Sequence, residues 1–438
     1  MSETIAAIST AAGGGIGIVR LSGADSLRIA SLAAGNPTSP PGQLRRARIK
    51  DAQGELLDDG MLVVFQAPRS YTGEDMAEFH GHGGAQTLSA VLERFLELGA
   101  RLALPGEFTE RAFLSGKLDL TQAEGVADLV AARTDDARRA ALRQLTGGLK
   151  DATHAIEHFL KIALAFIEAT IDFPDDVGEL DTPAVRHTLN DAERELQKLL
   201  ATARRGRALS EGLTLAIVGQ PNVGKSSLLN ALAGTERAIV TDIPGTTRDV
   251  VSENLSIGGY PVRTLDTAGL RETEDIVEAM GVERARNAAA SADVVLVVAD
   301  ATLGIGPVER DLLEEHAGRT LLLLNKCDLA APPADFTGIS LSAKTGNGLE
   351  ALGNSVRSLL GDSDQATIPM VTRARHENAL RRALESVRAA LNSLEADQAP
   401  EFIAVDCHGA LMALGELTGE TSRAEIIEGI FRTFCIGK

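Results

Sequence analysis

One octapeptide limits this chain more than any other stretch: Gly219-Gln220-Pro221-Asn222-Val223-Gly224-Lys225-Ser226. It fits G-x-x-x-x-G-K-[ST]. An apolar run, Leu213–Val218, precedes it, and Leu228, Leu229 and Leu232 follow at helical spacing. Strand, glycine turn and helix in that order let successive backbone N–H groups and a helix N-terminus cradle phosphates. Gly219 and Gly224 permit the turn and the close approach of phosphate oxygens. Lys225 would reach the β- and γ-phosphates, and the Ser226 hydroxyl would take one Mg²⁺ position. Alone, the motif competes with an ordinary glycine-rich turn.

Four later signals settle the base. Gly245-Thr246-Thr247-Arg248-Asp249 lies in a polar loop, where a threonine can complete the Mg²⁺ shell and sense the γ-phosphate. Asp266-Thr267-Ala268-Gly269 follows an apolar-alternating run and places an acid at a strand end beside the metal. Asn325-Lys326-Cys327-Asp328 ends the strand predicted over residues 320–324. The Asp328 carboxylate can accept from both N1–H and the exocyclic amine of guanine, a donor pair that adenine lacks. Ser342-Ala343-Lys344 ends another apolar stretch and offers a backbone N–H to guanine O6. Each short motif is weak alone, but five in order on the right elements specify GTP or GDP.

The remaining 290 or so residues must form other cores, because 438 residues exceed what a single core organises. Aromatics make up 3% of the chain with no Trp, so those cores rest on Leu, Val, Ile and Ala. A formal net charge of −18 argues against nonspecific attraction to nucleic acid, so any RNA contact needs a local basic patch. No apolar run approaches the ~20 residues of a membrane span, and the N-terminus has no signal pattern. Three widely spaced cysteines fit a reducing cytosol, and the expectation is a cytoplasmic protein.

Before the octapeptide, residues 5–8, 16–21 and 62–65 read as strands and residues 86–98 as a helix. Gly13-Gly14-Gly15 is a strand connection, since the chain continues β-branched and no Lys-Ser pair follows. From 121 to 207 the pattern is helical, and it resumes at 373–394, 402–417 and 423–434. Ser422 with Glu425 has the form of a capping box at the start of the last helix. Neither helical part carries a complete core, which predicts that they pack on each other with the GTP module inserted between them.

The position after Asp-x-x-Gly is Leu270, which cannot hydrogen-bond an attacking water. The loop beyond it holds Glu272, Glu274, Asp275 and Glu278, any of which could hold the water or simply be solvated. No arginine finger is assignable. Asn222 and the carbonyl-rich loop 241–246 could hold a monovalent cation beside the leaving group.

Motifs outside the GTP module carry a closer resemblance. They include Gly15-Ile16-Gly17-Ile18-Val19-Arg20-Leu21-Ser22-Gly23, Ser70-Tyr71-Thr72-Gly73-Glu74-Asp75, Glu78 and His82-Gly83-Gly84. Further along come Pro105-Gly106-Glu107-Phe108-Thr109-Glu110-Arg111-Ala112-Phe113, Gly116-Lys117-Leu118-Asp119-Leu120, Asp172-Phe173-Pro174 and Phe434-Cys435-Ile436-Gly437-Lys438. In these the chain resembles the MnmE (TrmE) family of tRNA modification GTPases, within the TrmE-Era-EngA-YihA-Septin-like group. Its early turn, Ala11-Ala12-Gly13-Gly14-Gly15, departs from the Pro-Pro and Arg common there.

The resemblance implies an α/β P-loop GTPase domain inserted in an all-α helical domain, preceded by an α+β tetrahydrofolate-binding domain. The implied boundaries are 1–117 for the folate-binding and dimerising domain, 118–210 and 362–438 for the helical domain, and 211–361 for the G domain. The implied activity is K⁺-dependent GTP hydrolysis activated by G-domain dimerisation. It is coupled to adding an aminomethyl or carboxymethylaminomethyl group to C5 of the tRNA wobble uridine. Implied cofactors are Mg²⁺, K⁺ and 5-formyl- or methylene-tetrahydrofolate. FAD enters only through the flavoprotein partner MnmG (GidA), in a heterotetramer or larger complex with a homodimer of this chain.

The resemblance also places ligands. GTP contacts fall on Asn222, Val223, Gly224, Lys225, Ser226, Ser227, Thr241, Thr247, Asp266, Gly269, Asn325, Lys326, Asp328, Ser342, Ala343 and Lys344. Mg²⁺ falls on Ser226 and Thr247, K⁺ on Asn222, Thr241, Ile243 and Thr246, and the water-orienting acid on Glu278. Folate contacts fall on Arg20, Glu78, Lys117 and Lys438. The cations could meet glutamyl carboxylates and Glu78 the pterin donors, or each could form surface ion pairs. His80 and His82 lack a nearby acid or cysteine in sequence and are read as loop or core residues rather than metal ligands. Cys435 is a candidate reactive thiol or a small buried hydrophobe; Cys327 and Cys407 have no assigned role. The competing function is a GTP-switched ribosome or RNA assembly factor, which would be expected to append a basic domain that is not evident here.

Overall fold

The computed structural model describes residues 3–35, 40–235, 255–264, 286–361 and 369–438. They form two compact units, each described by itself. One comprises the residues up to Ala127 together with Gly415–Lys438; the other runs from Asp128 to Leu414.

The first unit begins with β1 (Ile5–Ile8), β2 (Ile16–Ser22), α1 (Ser26–Ala34), β3 (Arg45–Lys50), β4 (Leu56–Phe65) and β5 (Met76–His82). α2 (Ala85–Glu97), β6 (Arg101–Leu102), α3 (Glu107–Leu114) and α4 (Leu120–Ala131) follow. The six strands lie in the order β3-β4-β5-β2-β1-β6, antiparallel apart from the β1–β6 pair. α1 and α2 cover one face, where Val19, Leu21, Ala77 and Phe79 meet Ile29, Leu88, Val91 and Phe95. Each fully buried Val, Leu, Ile or Phe among them contributes about 1.5–3 kcal/mol. Strand side chains alternate between faces, so this burial sends Arg20 and Glu78 to the other face, and the register makes them direct cross-strand partners.

In the second unit, α5 (Asp135–Leu145) starts at Thr134, whose side chain accepts from Ala137 N–H. α6 (Gly148–Asp172) and the short α7 (Pro174–Val177) precede α8 (Thr182–Ala201), which Asp181 caps through Ala184 N–H, and α9 (Ala203–Ser210). β7 (Leu213–Val218), α10 (Lys225–Thr235), β8 (Leu255–Ile257) and β9 (Tyr260–Thr264) open the inserted module. β10 (Val294–Asp300), α11 (Pro307–Glu315), β11 (Thr320–Asn325), β12 (Ile339–Ser340) and α12 (Leu349–Leu359) complete it. The sheet order is β12-β11-β10-β7-β9-β8, parallel except for the edge pair β8–β9. β10 is buried along its whole length, as its continuous apolar run requires of a strand covered on both faces.

The chain then returns to the helices with α13 (Ala374–Glu395) and α14 (Pro400–Thr418). α13 packs on α8, burying Leu380, Ala383, Leu384 and Val387 on one helix and Val185, Leu189, Ala192 and Leu196 on the other. Arg186–Glu395 and Arg388–Glu193 ion pairs flank the seam. The two helical segments do pack together around the insertion. The inserted module rests on α5 and α9: Ala137, Ala140, Ala208 and Leu209 join the core beneath the sheet. Arg357 also donates to Gly258 O and pairs with Asp136.

The last helix, α15 (Ala424–Phe431), belongs to the first unit, where Phe431 and Phe434 pack with Phe113, Leu120 and Ala123. Its start corrects the capping-box expectation. Arg423 occupies the cap position, and Ser422 Oγ donates instead to Glu416 O, back along the chain.

Candidate guanine-nucleotide site and N-terminal pocket

The loop 219–224 leaves β7 at its C-terminal end, in the row where β10, β11 and β12 also end. This edge of an open parallel sheet is where ligands bind. A Cβ at Gly219 would strike Val298 O, and one at Gly224 would strike the Asn325 amide, so both positions demand glycine. Asn222 takes a left-handed φ of 64°. The backbone is thereby shaped as a cradle that opens onto the N-terminus of α10. This geometry fits a phosphate chain, with Ser226 in the first turn of the helix.

Lys225 Nζ donates to Gly219 O at 2.9 Å and Gln220 O at 2.7 Å. Burial pulls its ammonium below the ordinary value, while the charge of Glu309 acts in the opposite direction.

Asn325 knits three motifs together. Its Nδ2 donates to Val223 O at 2.8 Å and its Oδ1 accepts from Ala343 N–H at 3.0 Å. Lys326, at φ 65°, donates to Asn222 O at 2.7 Å and to Asp300 Oδ2 at 2.6 Å. Ser342 Oγ donates to Asp328 Oδ1 at 2.7 Å and fixes the carboxylate that would read the guanine edge. The structure thus brings Asn222, Val223, Gly224, Lys225, Ser226 and Ser227 together with Asn325, Lys326, Asp328, Ser342 and Ala343; Lys344 adjoins them. Thr241, Ile243, Thr246, Thr247, Asp266, Gly269 and Glu278, with Leu270, Glu272, Glu274 and Asp275, lie outside the described residues.

In the first unit Arg20 Nε donates to Glu78 Oε1 at 2.8 Å, and its Nη1 donates to Gly437 O at 3.4 Å. The guanidinium carbon lies 5.7 Å from the Tyr71 ring centre and 5.6 Å from that of Phe108. The other Glu78 oxygen faces His80 Nε2 at 3.1 Å. The tail is tied down: Gly106 N–H donates to Cys435 O at 3.3 Å and Phe108 N–H to Lys438 O at 3.2 Å. Gly437, at φ 90°, packs against Ile8 O and the Ser9 Cα, with no room for a Cβ. Ser9 Oγ is buried with no hydrogen-bond partner among the described residues.

Lys117 is exposed and has no ion pair among the described residues. Cys435 is exposed. Cys407 is fully buried and its thiol is pushed up to about 12 by that burial, as befits a packing residue.

The family model "MnmE helical domain" matches residues 120–435, and "GTP-binding protein TrmE N-terminus" matches residues 4–117. The chain belongs to the MnmE family. The tRNA modification GTPase MnmE of Neisseria meningitidis serogroup C (strain 053442) is 45% identical, covering 99% of each chain. The MnmE of Synechococcus sp. (strain JA-3-3Ab) is also 45% identical, over 100% of this chain and 99% of its own. That of Symbiobacterium thermophilum is 44% identical at the same coverage. Among the described residues no helix is long and apolar enough to cross a membrane.

Three residues of this MnmE-family chain escape sequence reading. Asp300, 4% exposed, holds Lys326 and is itself held by the Thr302 N–H and hydroxyl. Its one sequence signal is the acid that ends the apolar run of β10. Asp58, near the start of β4, is buried opposite the end of β5 and holds the His82 backbone N–H and ring. This hydrogen bond raises the His82 imidazole above its ordinary value. Glu107 binds Arg101 through both oxygens and also takes Arg111 and the Leu104 N–H. Burial opposes its charge, but these donors outweigh it and hold the carboxyl down at about 2.

Proposed function

We propose that the chain hydrolyses GTP in the service of tRNA modification, with the G module as the clock and the N-terminal unit as the holder of a folate one-carbon donor. The observation that carries this reading is the side-chain lattice Val223–Asn325–Ala343 with Ser342–Asp328. It sets the phosphate loop and both guanine-reading motifs on one sheet edge. Membership of the MnmE family supplies the link to tRNA.

In this reading the loop N–H groups and Lys225 hold the phosphates, and Ser226 and Thr247 would hold Mg²⁺. Asn222, Thr241, Ile243 and Thr246 would hold K⁺. Ions held there would supply positive charge against the charge that develops on the leaving group. Glu278 orients the attacking water, the task that Leu270 cannot perform. G domains of two chains pair to complete the site. In the N-terminal unit Arg20, Glu78, Lys117 and Lys438 would hold a tetrahydrofolate derivative. The flavoprotein partner MnmG brings FAD, and the target is C5 of the wobble uridine. Cys435, exposed on the tail, stays a candidate thiol for that chemistry.

The test measures GTP turnover in KCl and in NaCl, together with nucleoside analysis of tRNA from cells that lack the chain. Faster turnover in KCl and a missing wobble-uridine modification are expected. Equal rates would remove the K⁺ role of Asn222; unchanged tRNA would remove the modification role.

A further inference from the structure

Glu309 is 1% exposed, yet its carboxylate meets no guanidinium or ammonium at ion-pair distance among the described residues. Burying such a charge without compensation is strongly unfavourable. Its hydrogen bonds both come from one residue of the phosphate loop: Gln220 N–H at 3.2 Å and Gln220 Nε2 at 3.3 Å. The carbonyl of the same Gln220 accepts from Lys225 Nζ at 2.7 Å. The Gly219–Gln220 peptide is therefore gripped at its N–H end by a buried carboxylate and at its C=O end, Gly219 O, by the loop lysine at 2.9 Å, which also holds the carbonyl of the next peptide. Glu309 sits in the first turn of α11, where the helix N-terminus favours an anion, and Gly306 before that turn has no room for a Cβ against Gln220 Nε2 and Glu309 Oε2. The contact is closely fitted from both sides.

We propose that Glu309 is a positioning residue for nucleotide binding: it fixes the Gln220 peptide, and through it the two carbonyls that aim Lys225 along the loop. It acts on the loop before the phosphates arrive, so it governs affinity rather than the chemical step. The inference rests on reading the loop as a GTP site. Glu309→Ala leaves the Gln220 N–H without its acceptor and frees the peptide to rotate. The KM for GTP and the Kd for GDP then rise about tenfold while kcat stays within about twofold. Glu309→Gln keeps an acceptor for that N–H and, with the Gln220 amide flipped, both contacts; it should restore affinity to within about threefold of the parent.

Fluorescent GDP binding and steady-state GTP hydrolysis on the full chain, with thermal melts as the folding control, measure all of this. Unchanged affinity in Glu309→Ala would overturn the proposal. So would a loss confined to kcat, or a Glu309→Gln no better than alanine. If Glu309→Ala does not fold, Gly306→Ala carries the test, since its methyl would push the same contact apart. A raised KM supports the proposal there, and an unchanged KM overturns it. Failure of the parent protein to bind GDP would instead overturn the reading of the site itself.

Discussion

The two sites are built from opposite materials. The G-module site is mostly backbone: loop N–H groups, two glycines that admit no side chain, and an asparagine whose amide ties loop to loop. The N-terminal site is mostly side chain: a guanidinium against two rings, a carboxylate bonded on both oxygens, and a tail pinned through its carbonyls. A backbone site depends on local chain geometry, which a short motif encodes. A side-chain site depends on strand register, here between residues 58 positions apart.

The sharpest break between them is expected at Glu278. If it orients the attacking water, Glu278→Ala lowers kcat for GTP by about 10²- to 10³-fold and leaves nucleotide affinity nearly intact, with folate binding untouched. Loss of GDP binding in that variant would show the acid to be part of the cradle instead. Next in size is Asp328→Asn. The amide no longer accepts from both guanine donors, so GTP affinity falls about a hundredfold and xanthosine triphosphate becomes the better ligand. A nucleotide competition assay reads both changes. Unchanged preference for GTP would mean that the Ser342–Asp328 bond serves the loop alone.

The Glu107 cluster tests the other region. Its folded carboxyl sits at about 2, below the ordinary 4.5 of the unfolded chain, so it stabilises the fold above pH 4.5. That contribution, about 3 kcal/mol, is lost as pH falls from 4.5 through 2, and about 2 kcal/mol is gone by pH 3. Urea unfolding at pH 5 and pH 3 should show a larger acid loss in the parent than in Glu107→Gln, which cannot titrate. Equal losses would mean that the Arg101 and Arg111 bonds contribute nothing in solution.

These contrasts explain what the sequence could carry. β7, the phosphate loop and α10 are legible because strand, turn and helix chemistry are all local there. The helical halves are legible as partners because neither holds a full apolar core. Asp300 and Glu309 are not, because each is a lone acid whose meaning comes from another segment folding against it. Ser422 misleads for a related reason: the spacing to Glu425 is right, but the preceding helix ends close enough to take the hydroxyl for Glu416 O. The strand places Glu78, two residues earlier, on the same face as His80, while only the sheet brings Asp58 beside His82.

Within the N-terminal pocket the same logic separates two cations of equal formal charge. Arg20 is stacked and bonded in place, with its Nη2 unclaimed among the described residues, so in the folate reading that nitrogen would meet a ligand oxygen. Arg20→Ala should weaken folate binding about tenfold and leave GDP binding unchanged. Lys117 is exposed and has no ion pair among the described residues, so any ligand carboxylate it meets stays hydrated, and an exposed pair contributes at most about 1 kcal/mol. Lys117→Ala should therefore cost about threefold at low salt and almost nothing at 0.5 M NaCl, where the Debye length is down to roughly 4 Å. Titration calorimetry with a reduced folate at both salt concentrations measures the difference. A Lys117 loss as large as that of Arg20, and insensitive to salt, would show that the ligand buries the lysine and that this pocket is closed by the ligand rather than before it arrives.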